Sequence, residues 1–266
     1  MQAMLPSTML ARASVSLRYP VRPRPESWVL PEGTVPESTA HDTAVLQLYL
    51  LLAEWASKQP GEVRIARNLA VRWIETHPQS GIDPDLCVMD PPPPGSERDL
   101  SSLCLWKPGH VTPRFCIEVV SANHPYKDYV EIVERYASMG APELLVFDPL
   151  LQGPRSLGGP VALQLWRRDA TGTFERAHFG DEPVHSNALD AWFIAAPPRI
   201  MIAHDRAGKQ LWQTDAEKER AEKERERAEK ERERAEKERE RAEKEREQAA
   251  RIELERRVAE LEAKLK

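Results

Sequence analysis

Two carboxylates placed inside apolar runs constrain this chain more than any other feature of its sequence. Asp85 opens the apolar run 85–89, and Glu118 lies in the middle of the run 115–121. A charge inside a strand-like apolar stretch is costly unless it is paired or holds a cation. Two such charges, on strands that can lie side by side, predict a shared divalent metal ion. The pattern therefore favours metal-assisted phosphodiester chemistry.

The structural alternative needs no metal: Asp85 caps a strand, and Glu118 pairs with a buried arginine or lysine. A metal site would need further oxygen ligands, which a backbone carbonyl near Val119 and water could supply. Phosphodiester cleavage also calls for a cation near the developing negative charge. Lys127, shortly after the Glu118 run, is the nearest candidate for that cation.

The charge distribution excludes a strongly basic nucleic-acid-binding module. The 266 residues carry a formal net charge of −5. Residues 215–266 contain 18 basic and 19 acidic residues, which leaves 20 basic and 24 acidic residues in the rest of the chain. Any contact with DNA must therefore come from a local patch, helped by bound metal ions that offset part of the charge.

Cysteine content and hydropathy indicate the compartment. The three cysteines show no paired spacing, which favours a reducing environment and small buried side chains rather than disulfides. No run approaches the ~20 apolar residues of a membrane span. The first basic residue, Arg12, follows the N-terminal apolar stretch instead of preceding it, so no signal sequence is predicted. We expect a cytoplasmic protein without a membrane partner.

The order of periodic segments predicts an α/β domain with a mixed sheet between two dissimilar ends. Residues 1–40 form an irregular, proline-rich arm, residues 41–212 the domain, and residues 213–266 a helical tail. Asp42 is expected to cap the first helix, and Gly140 to end the second. The expected helices are 42–58 and 126–139, and the expected strands are 63–65, 70–74, 85–89, 114–121, 144–147, an edge hairpin of 161–167 with 173–178, and 199–203. Residues 91–95 form a loop, and residues 96–112 a polar excursion.

The tail is a seven-residue repeat. The sequence Ala-Glu-Lys-Glu-Arg-Glu-Arg begins at Ala221, Ala228 and Ala235, and returns at Ala242 with Gln248 in its last place. One alanine per repeat gives no hydrophobic seam, whereas opposite charges meet at helical spacing. A solvated single helix is therefore favoured over a strong coiled coil. The last residues differ, because Leu254, Val258, Leu261 and Leu265 form a short apolar seam through which the chain could self-associate as a short coiled coil.

The chain resembles the Uma2 family, which belongs to the PD-(D/E)XK restriction-endonuclease-like superfamily. The resemblance covers about residues 40–212 and rests on Pro84-Asp85, Glu118-Val119-Val120-Ser121, the helix ending in 136–140, and the run 145–149. It implies a central mixed sheet flanked by helices and divalent-metal-dependent DNA cleavage. By the same resemblance, Asp85 and Glu118 are the motif acids, and Mg²⁺ or Mn²⁺ is the ion they hold.

Two departures from the family pattern leave two hypotheses open. The lysine that usually follows the second acid by two residues is Val120 here, and the alternative lysine, four residues before the tyrosine, is Ile132. Lys127, about one turn earlier, could take its place. The leading hypothesis is a Mg²⁺- or Mn²⁺-dependent DNA endonuclease that uses Asp85, Glu118 and Lys127. The alternative is a catalytically inactive nuclease fold that serves as an interaction scaffold, with the tail as spacer or oligomeriser.

Overall fold

The computed structural model describes residues 39–95, 100–121, 129 and 131–264, and its contacts divide the chain into two compact units, Met1–Trp212 and Gln213–Lys266. The first unit contains the helices α1 (Thr39–Ser57) and α2 (Ile132–Met139) and the strands β1 (Arg64–Arg67), β2 (Ala70–Arg72), β3 (Gly81–Ile82), β4 (Leu86–Met89), β5 (Ser102–Cys104), β6 (Phe115–Val119), β7 (Glu143–Phe147), β8 (Leu163–Arg168), β9 (Phe174–Gly180), β10 (Val184–Ser186), β11 (Ala191–Ala196) and β12 (Arg199–Ala203). The predicted arm 1–40 lies almost wholly outside the described residues, so the three-part division of the chain stays a prediction.

A six-stranded sheet with the order β1-β4-β6-β7-β8-β9 forms the centre of the first unit. Its strands β6 and β7 run parallel, and the other neighbouring pairs run antiparallel. Every residue of β6 and β7 is buried, which explains their nearly continuous apolar sequences, since both faces of these strands are covered. The sheet is mixed, as the sequence predicts.

The two faces of the central sheet are covered by different layers. Along β6, Phe115, Ile117 and Val119 enter a core that also contains α1 and residues of β10, β11 and β12. Cys116 points to the other face, into a core shared with α2 and with the small sheet β3-β2-β5. This alternation is the two-residue period of a strand. Helices thus flank the sheet on both faces, and the predicted fold class is confirmed.

Helix α1 begins earlier than predicted. Its described residues start at Thr39, so Asp42 lies in the first turn, and the prediction that Asp42 is the N-cap is wrong. A carboxylate in the first turn still favours the helix through its dipole. The earlier start places His41 on the same stripe as the buried Val45 and Leu48.

Helix α2 ends where the sequence predicts. Gly140 adopts the left-handed conformation with φ of 89°, and the Ala141 N–H donates to the Tyr136 carbonyl, 3.1 Å away. Glycine tolerates this conformation because it has no Cβ. The guanidinium of Arg168 adds a donor to the Ala137 carbonyl at 2.7 Å. The predicted start at residue 126 lies outside the described residues.

Several short strands are not predicted by the sequence. The strand β5 lies inside the segment expected to be a polar excursion, and it pairs in parallel with β2. The predicted hairpin of 161–167 with 173–178 forms at the edge of the sheet as β8 and β9. Its edge strand is β9, whereas β8 lies between β7 and β9, and Leu163, Leu165 and Trp166 contribute to the cores on both of its faces. The strands β10 and β11 complete a three-stranded sheet with β12, the predicted last strand.

The second unit is one 50-residue helix, α3 (Asp215–Lys264). A capping box begins it: the Thr214 N–H donates to Glu217 Oε2 at 2.8 Å, and the Glu217 N–H donates to Thr214 Oγ1 at 3.2 Å. Exposed ion pairs at i,i+4 spacing follow, such as Arg241 with Glu245 at 3.0 Å. The predicted charged helix is confirmed. In the part of the chain that the structure describes, no helix is long and apolar enough to cross a membrane.

We predict that removing residues 213–266 leaves the thermal midpoint of the remaining domain nearly unchanged, because the faces of residues 214–247 are charged all round and offer no stripe to bury. Calorimetry measures the midpoint, and light scattering measures whether self-association through the last apolar residues is lost. The matched control is Trp212→Ala in the full chain, which should lower the midpoint because the Trp212 ring stacks on Trp55 at 5.9 Å. A large loss on truncation would show that the tail stabilises the domain.

Candidate active site

The register of β4 and β6 brings the two acids together. Leu86 pairs with Ile117, and Cys87 pairs with Cys116, in an antiparallel ladder. Continuing this register by one residue places Asp85, just before β4, opposite Glu118. Residues directly opposite each other in such a pair have Cβ atoms about 4.5–5.5 Å apart. Both acids are buried, at 8% and 7% exposure. They occupy adjacent positions at one end of the central sheet.

The contacts of Asp85 fall on one of its two carboxylate oxygens. Oδ2 accepts the Val119 N–H at 2.7 Å, and it lies 3.1 Å from Nε2 of His41. A carboxylate oxygen attracts a nitrogen at this distance only when the nitrogen carries hydrogen, so Nε2 of His41 is a donor. Among the described residues, Oδ1 is the oxygen that these contacts leave for another ligand.

Glu118 receives a neutral donor. Its Oε1 lies 2.5 Å from the hydroxyl of Tyr136, a fully buried side chain of α2. Burial raises the pKa of Tyr136 well above its usual value, and the negative charge of Glu118 raises it further. Tyr136 therefore stays protonated and donates its hydroxyl hydrogen to Glu118. The phenol orients the carboxylate without neutralising it.

The neighbouring cysteines also stay neutral. Burial raises the pKa of the Cys87 thiol to about 12 and that of the Cys116 thiol well above its usual value. Both thiols are free and buried, as the sequence predicts for small side chains in strands. Because neither thiol ionises at neutral pH, a cysteine nucleophile is not part of this site.

The two usual lysine positions of the superfamily are occupied by core side chains. Val120 and Ile132 are each 2% exposed and belong to the apolar core beneath α2. The backbone N–H of Val120 donates to the Phe147 carbonyl at 2.8 Å, which fixes this residue against β7. Lys127, the predicted substitute, lies outside the described residues.

Two other buried acids are saturated by protein donors. Glu143 accepts hydrogen bonds from the Arg167 guanidinium at 2.6 Å, from the Ser186 hydroxyl at 2.6 Å and from two backbone N–H groups. Asp148 accepts from the Tyr129 hydroxyl at 3.0 Å and from two backbone N–H groups. Such complete sets of donors explain why both acids tolerate burial. These two acids hold separate segments of the fold together.

The donor chemistry fits a hard divalent cation. Carboxylate and backbone carbonyl oxygens are ligands that suit Mg²⁺ and Mn²⁺. Asp85 and Glu118 would supply two such oxygens, and water or backbone carbonyls the remainder. Within the described ranges, no three histidine, cysteine or acidic side chains are grouped so as to hold a metal.

Two residues of the site are not assigned to it by the sequence. Tyr136 is expected on the buried face of its helix, but its contact with Glu118 depends on tertiary packing. His41 is missed because the helix is expected to begin at Asp42. A signal exists, since His41 precedes Val45 and Leu48 by four and seven residues, the spacing of one helical face.

Comparison with known proteins identifies the family. The family model Uma2, described as "putative restriction endonuclease", matches residues 16–194. The chain belongs to the Uma2 family. The match begins inside the segment predicted to be an irregular arm. Restriction-endonuclease-like families generally use divalent metal ions, which agrees with the donor chemistry at Asp85 and Glu118.

One similar solved structure is that of a protein described as a "putative nuclease belonging to DUF820" from Anabaena variabilis. It is 15% identical in sequence, the match covers 60% of this Uma2 chain and 80% of that chain, and the TM-score is 0.41. No curated protein matches the sequence.

We predict that the free energy of unfolding falls as the pH rises above about 9. The pKa values of Cys87, Cys116 and Tyr136 are raised in the folded state, so the folded chain holds these protons more tightly than the unfolded chain. Below the ordinary pKa values of 9.0 for the thiols and 10.0 for the phenol, these groups contribute their full stabilisation of the folded state. That stabilisation is lost as the pH rises toward the pKa values of the folded state. Each group contributes a slope of up to ~1.4 kcal/mol per pH unit.

Urea unfolding between pH 7 and 11 measures this slope. Cys116→Ala should reduce it near pH 9, because one of the two thiols is removed, and should leave the slope from Tyr136 in place. An identical slope in the variant would show that the thiol of Cys116 is not held neutral by the fold.

Proposed function

We propose that this Uma2 protein is a divalent-metal-dependent DNA endonuclease that hydrolyses phosphodiester bonds, with Mg²⁺ or Mn²⁺ held by Asp85 and Glu118. The observation that carries the proposal is the placement of these two buried acids opposite each other at the end of β4 and β6. The description of the family as "putative restriction endonuclease" supports DNA as the substrate in this proposal.

The electrostatics of the two acids support a cation between them. Two carboxylates on facing positions of a ladder repel each other, and burial strengthens the repulsion because the local dielectric constant is lower than that of water. The contacts described at Asp85 include a backbone N–H and an imidazole, and those at Glu118 include a neutral phenol. A divalent cation would relieve this repulsion directly.

Each side chain has a definable task in this proposal. When bound, the ion would polarise a phosphate and lower the pKa of a water molecule. Asp85 would present Oδ1 to the ion while Oδ2 stays bound to the Val119 N–H. Glu118 would be held in one orientation by the Tyr136 hydroxyl. Lys127 is the side chain proposed to stabilise the charge that develops on the phosphate.

A second candidate function is that of a catalytically inactive nuclease fold that acts as an interaction scaffold. The specific observation in its favour is that Val120 and Ile132, at the two usual lysine positions, are buried apolar side chains. In that case α3 would act as a spacer, or would join two copies of the chain through Leu254 and Val258, which are 65% and 47% exposed in the described chain.

We predict that Glu118→Gln abolishes Mn²⁺-dependent cleavage of plasmid DNA and leaves the fold intact, because the substitution removes the charge and almost no volume. Gel analysis of the plasmid measures cleavage, and circular dichroism checks the fold. Glu182→Gln, at an exposed acid, is the matched control and should cleave normally. Equal cleavage by Glu118→Gln and the unsubstituted protein would overturn the proposed role of Glu118. Absence of cleavage by the unsubstituted protein would favour the scaffold.

We predict that Lys127→Ala lowers the cleavage rate by about 10²–10³-fold, because a cation that stabilises developing charge contributes on the order of that factor. Lys107→Ala removes an exposed lysine and serves as the matched control. Rates are measured in single-turnover reactions at saturating Mn²⁺. An unchanged rate would eliminate Lys127 as the catalytic cation.

A further inference from the structure

We infer that His41 is a positioning residue of this site, which holds Asp85 in the orientation that directs Oδ1 toward the cation. The inference deepens the proposed function and rests on it. It adds a residue from α1, an element that carries neither of the proposed metal ligands.

The contact joins parts of the chain that are distant in sequence. His41 lies 44 residues before Asp85, in the first turn of α1, and its side chain is 4% exposed. Helix α1 packs on β4 and β6 from the face opposite Tyr136. The imidazole of His41, on α1, thus contacts Asp85. The phenol of Tyr136, on α2, contacts Glu118. Each acid has its own orienting side chain.

The geometry at Asp85 is selective. His41 Nε2 and the Val119 N–H both point at Oδ2, at 3.1 and 2.7 Å. Two donors on one oxygen fix the rotation of the carboxylate about its last bond, and they leave the other oxygen as the one directed to a ligand. Removal of the imidazole leaves a single donor, so the carboxylate gains rotational freedom.

The expected size of the effect follows from other metal sites. Hydrogen-bond partners of metal ligands typically change metal affinity by 10- to 100-fold when they are removed. A purely structural contact would behave differently. It would tie α1 to the end of the sheet, and its loss would lower the thermal midpoint without changing the concentration of metal that the site requires.

The experiment uses the full chain with Mn²⁺ as the probe and compares four variants. His41→Leu removes the donor. His41→Gln keeps an amide N–H near the position of Nε2, whereas His41→Asn carries the same amide on a shorter side chain. His185→Leu is the matched control, because His185 of β10 forms an exposed histidine–aspartate pair, with Nε2 3.2 Å from Asp190 Oδ1, remote in sequence from the proposed site.

Isothermal titration calorimetry measures Mn²⁺ affinity, and cleavage is measured as a function of Mn²⁺ concentration. We expect His41→Leu and His41→Asn to weaken Mn²⁺ binding by 10- to 100-fold and to raise the half-saturating Mn²⁺ concentration by the same factor. The rate at saturating Mn²⁺ should stay close to that of the unsubstituted protein. His41→Gln should recover most of the affinity, and His185→Leu should match the unsubstituted protein.

The outcomes separate the inference from the proposed function. Normal Mn²⁺ affinity in both His41→Leu and His41→Asn, with or without a lower thermal midpoint, would overturn the positioning role alone. Equal losses in the glutamine and asparagine variants would also overturn it, because the position of the donor would then be irrelevant. Should His41→Leu fail to fold, the difference in Mn²⁺ affinity between His41→Gln and His41→Asn tests the positioning role. Absence of Mn²⁺ binding by the unsubstituted protein would overturn the proposed function and the inference with it.

Discussion

The parallel pairing of β6 with β7 is the constraint on which the rest of the domain depends. Two parallel neighbours cannot be joined by a tight turn, so the chain must leave the sheet and return, and it does so through α2. This crossover covers one face of the sheet and brings Tyr136 over Glu118. The antiparallel strand β4, on the other side of β6, then brings Asp85 opposite Glu118. The crossover thus places a donor over Glu118, and the antiparallel pairing of β4 with β6 places the second acid beside it.

The buried acids of the domain fall into two groups with different physical consequences. Glu143 and Asp148 have complete sets of donors, including a guanidinium in the case of Glu143, and they lock β10 and the loop after β7 to the central sheet. Asp85 has both of its described contacts on a single oxygen. Neither of these two contacts is made by Oδ1, whereas the donors of Glu143 and Asp148 reach both oxygens of each carboxylate. This difference supports the proposal that a ligand binds at the end of β4 and β6.

The sequence predicts what depends on local pattern. The strand around Glu118, the helix before Gly140 and the charged helix after Thr214 follow from apolar runs, a left-handed glycine and a charge repeat. Asp85 and Glu118 also emerge from the sequence, because a charge within an apolar run is a local signal. The family resemblance, carried by the order and spacing of these motifs, is confirmed.

What the sequence does not predict depends on contacts between distant segments. The strands β3 and β5 have two and three residues, too few to show the two-residue alternation of a strand. Both are paired with β2, which lies between them. The internal position of β8 depends on β9 and on the cores to which both faces contribute. The sequence indicates only that His41 and Tyr136 lie on helical faces. Their role at the site requires knowledge of which strand ends lie beneath each helix.

The repeat in α3 has a consequence for how this protein can change over generations. Each seven-residue unit adds ~10.5 Å of helix and completes nearly two turns, so a gained or lost unit returns the chain to almost the same direction. The ion pairs are formed within and between adjacent units, and no buried face has to be kept in register. Tandem duplication or deletion of whole units would therefore lengthen or shorten the helix without a compensating substitution in the domain. The length of the tail is free to drift, or to be selected, independently of the fold that precedes it.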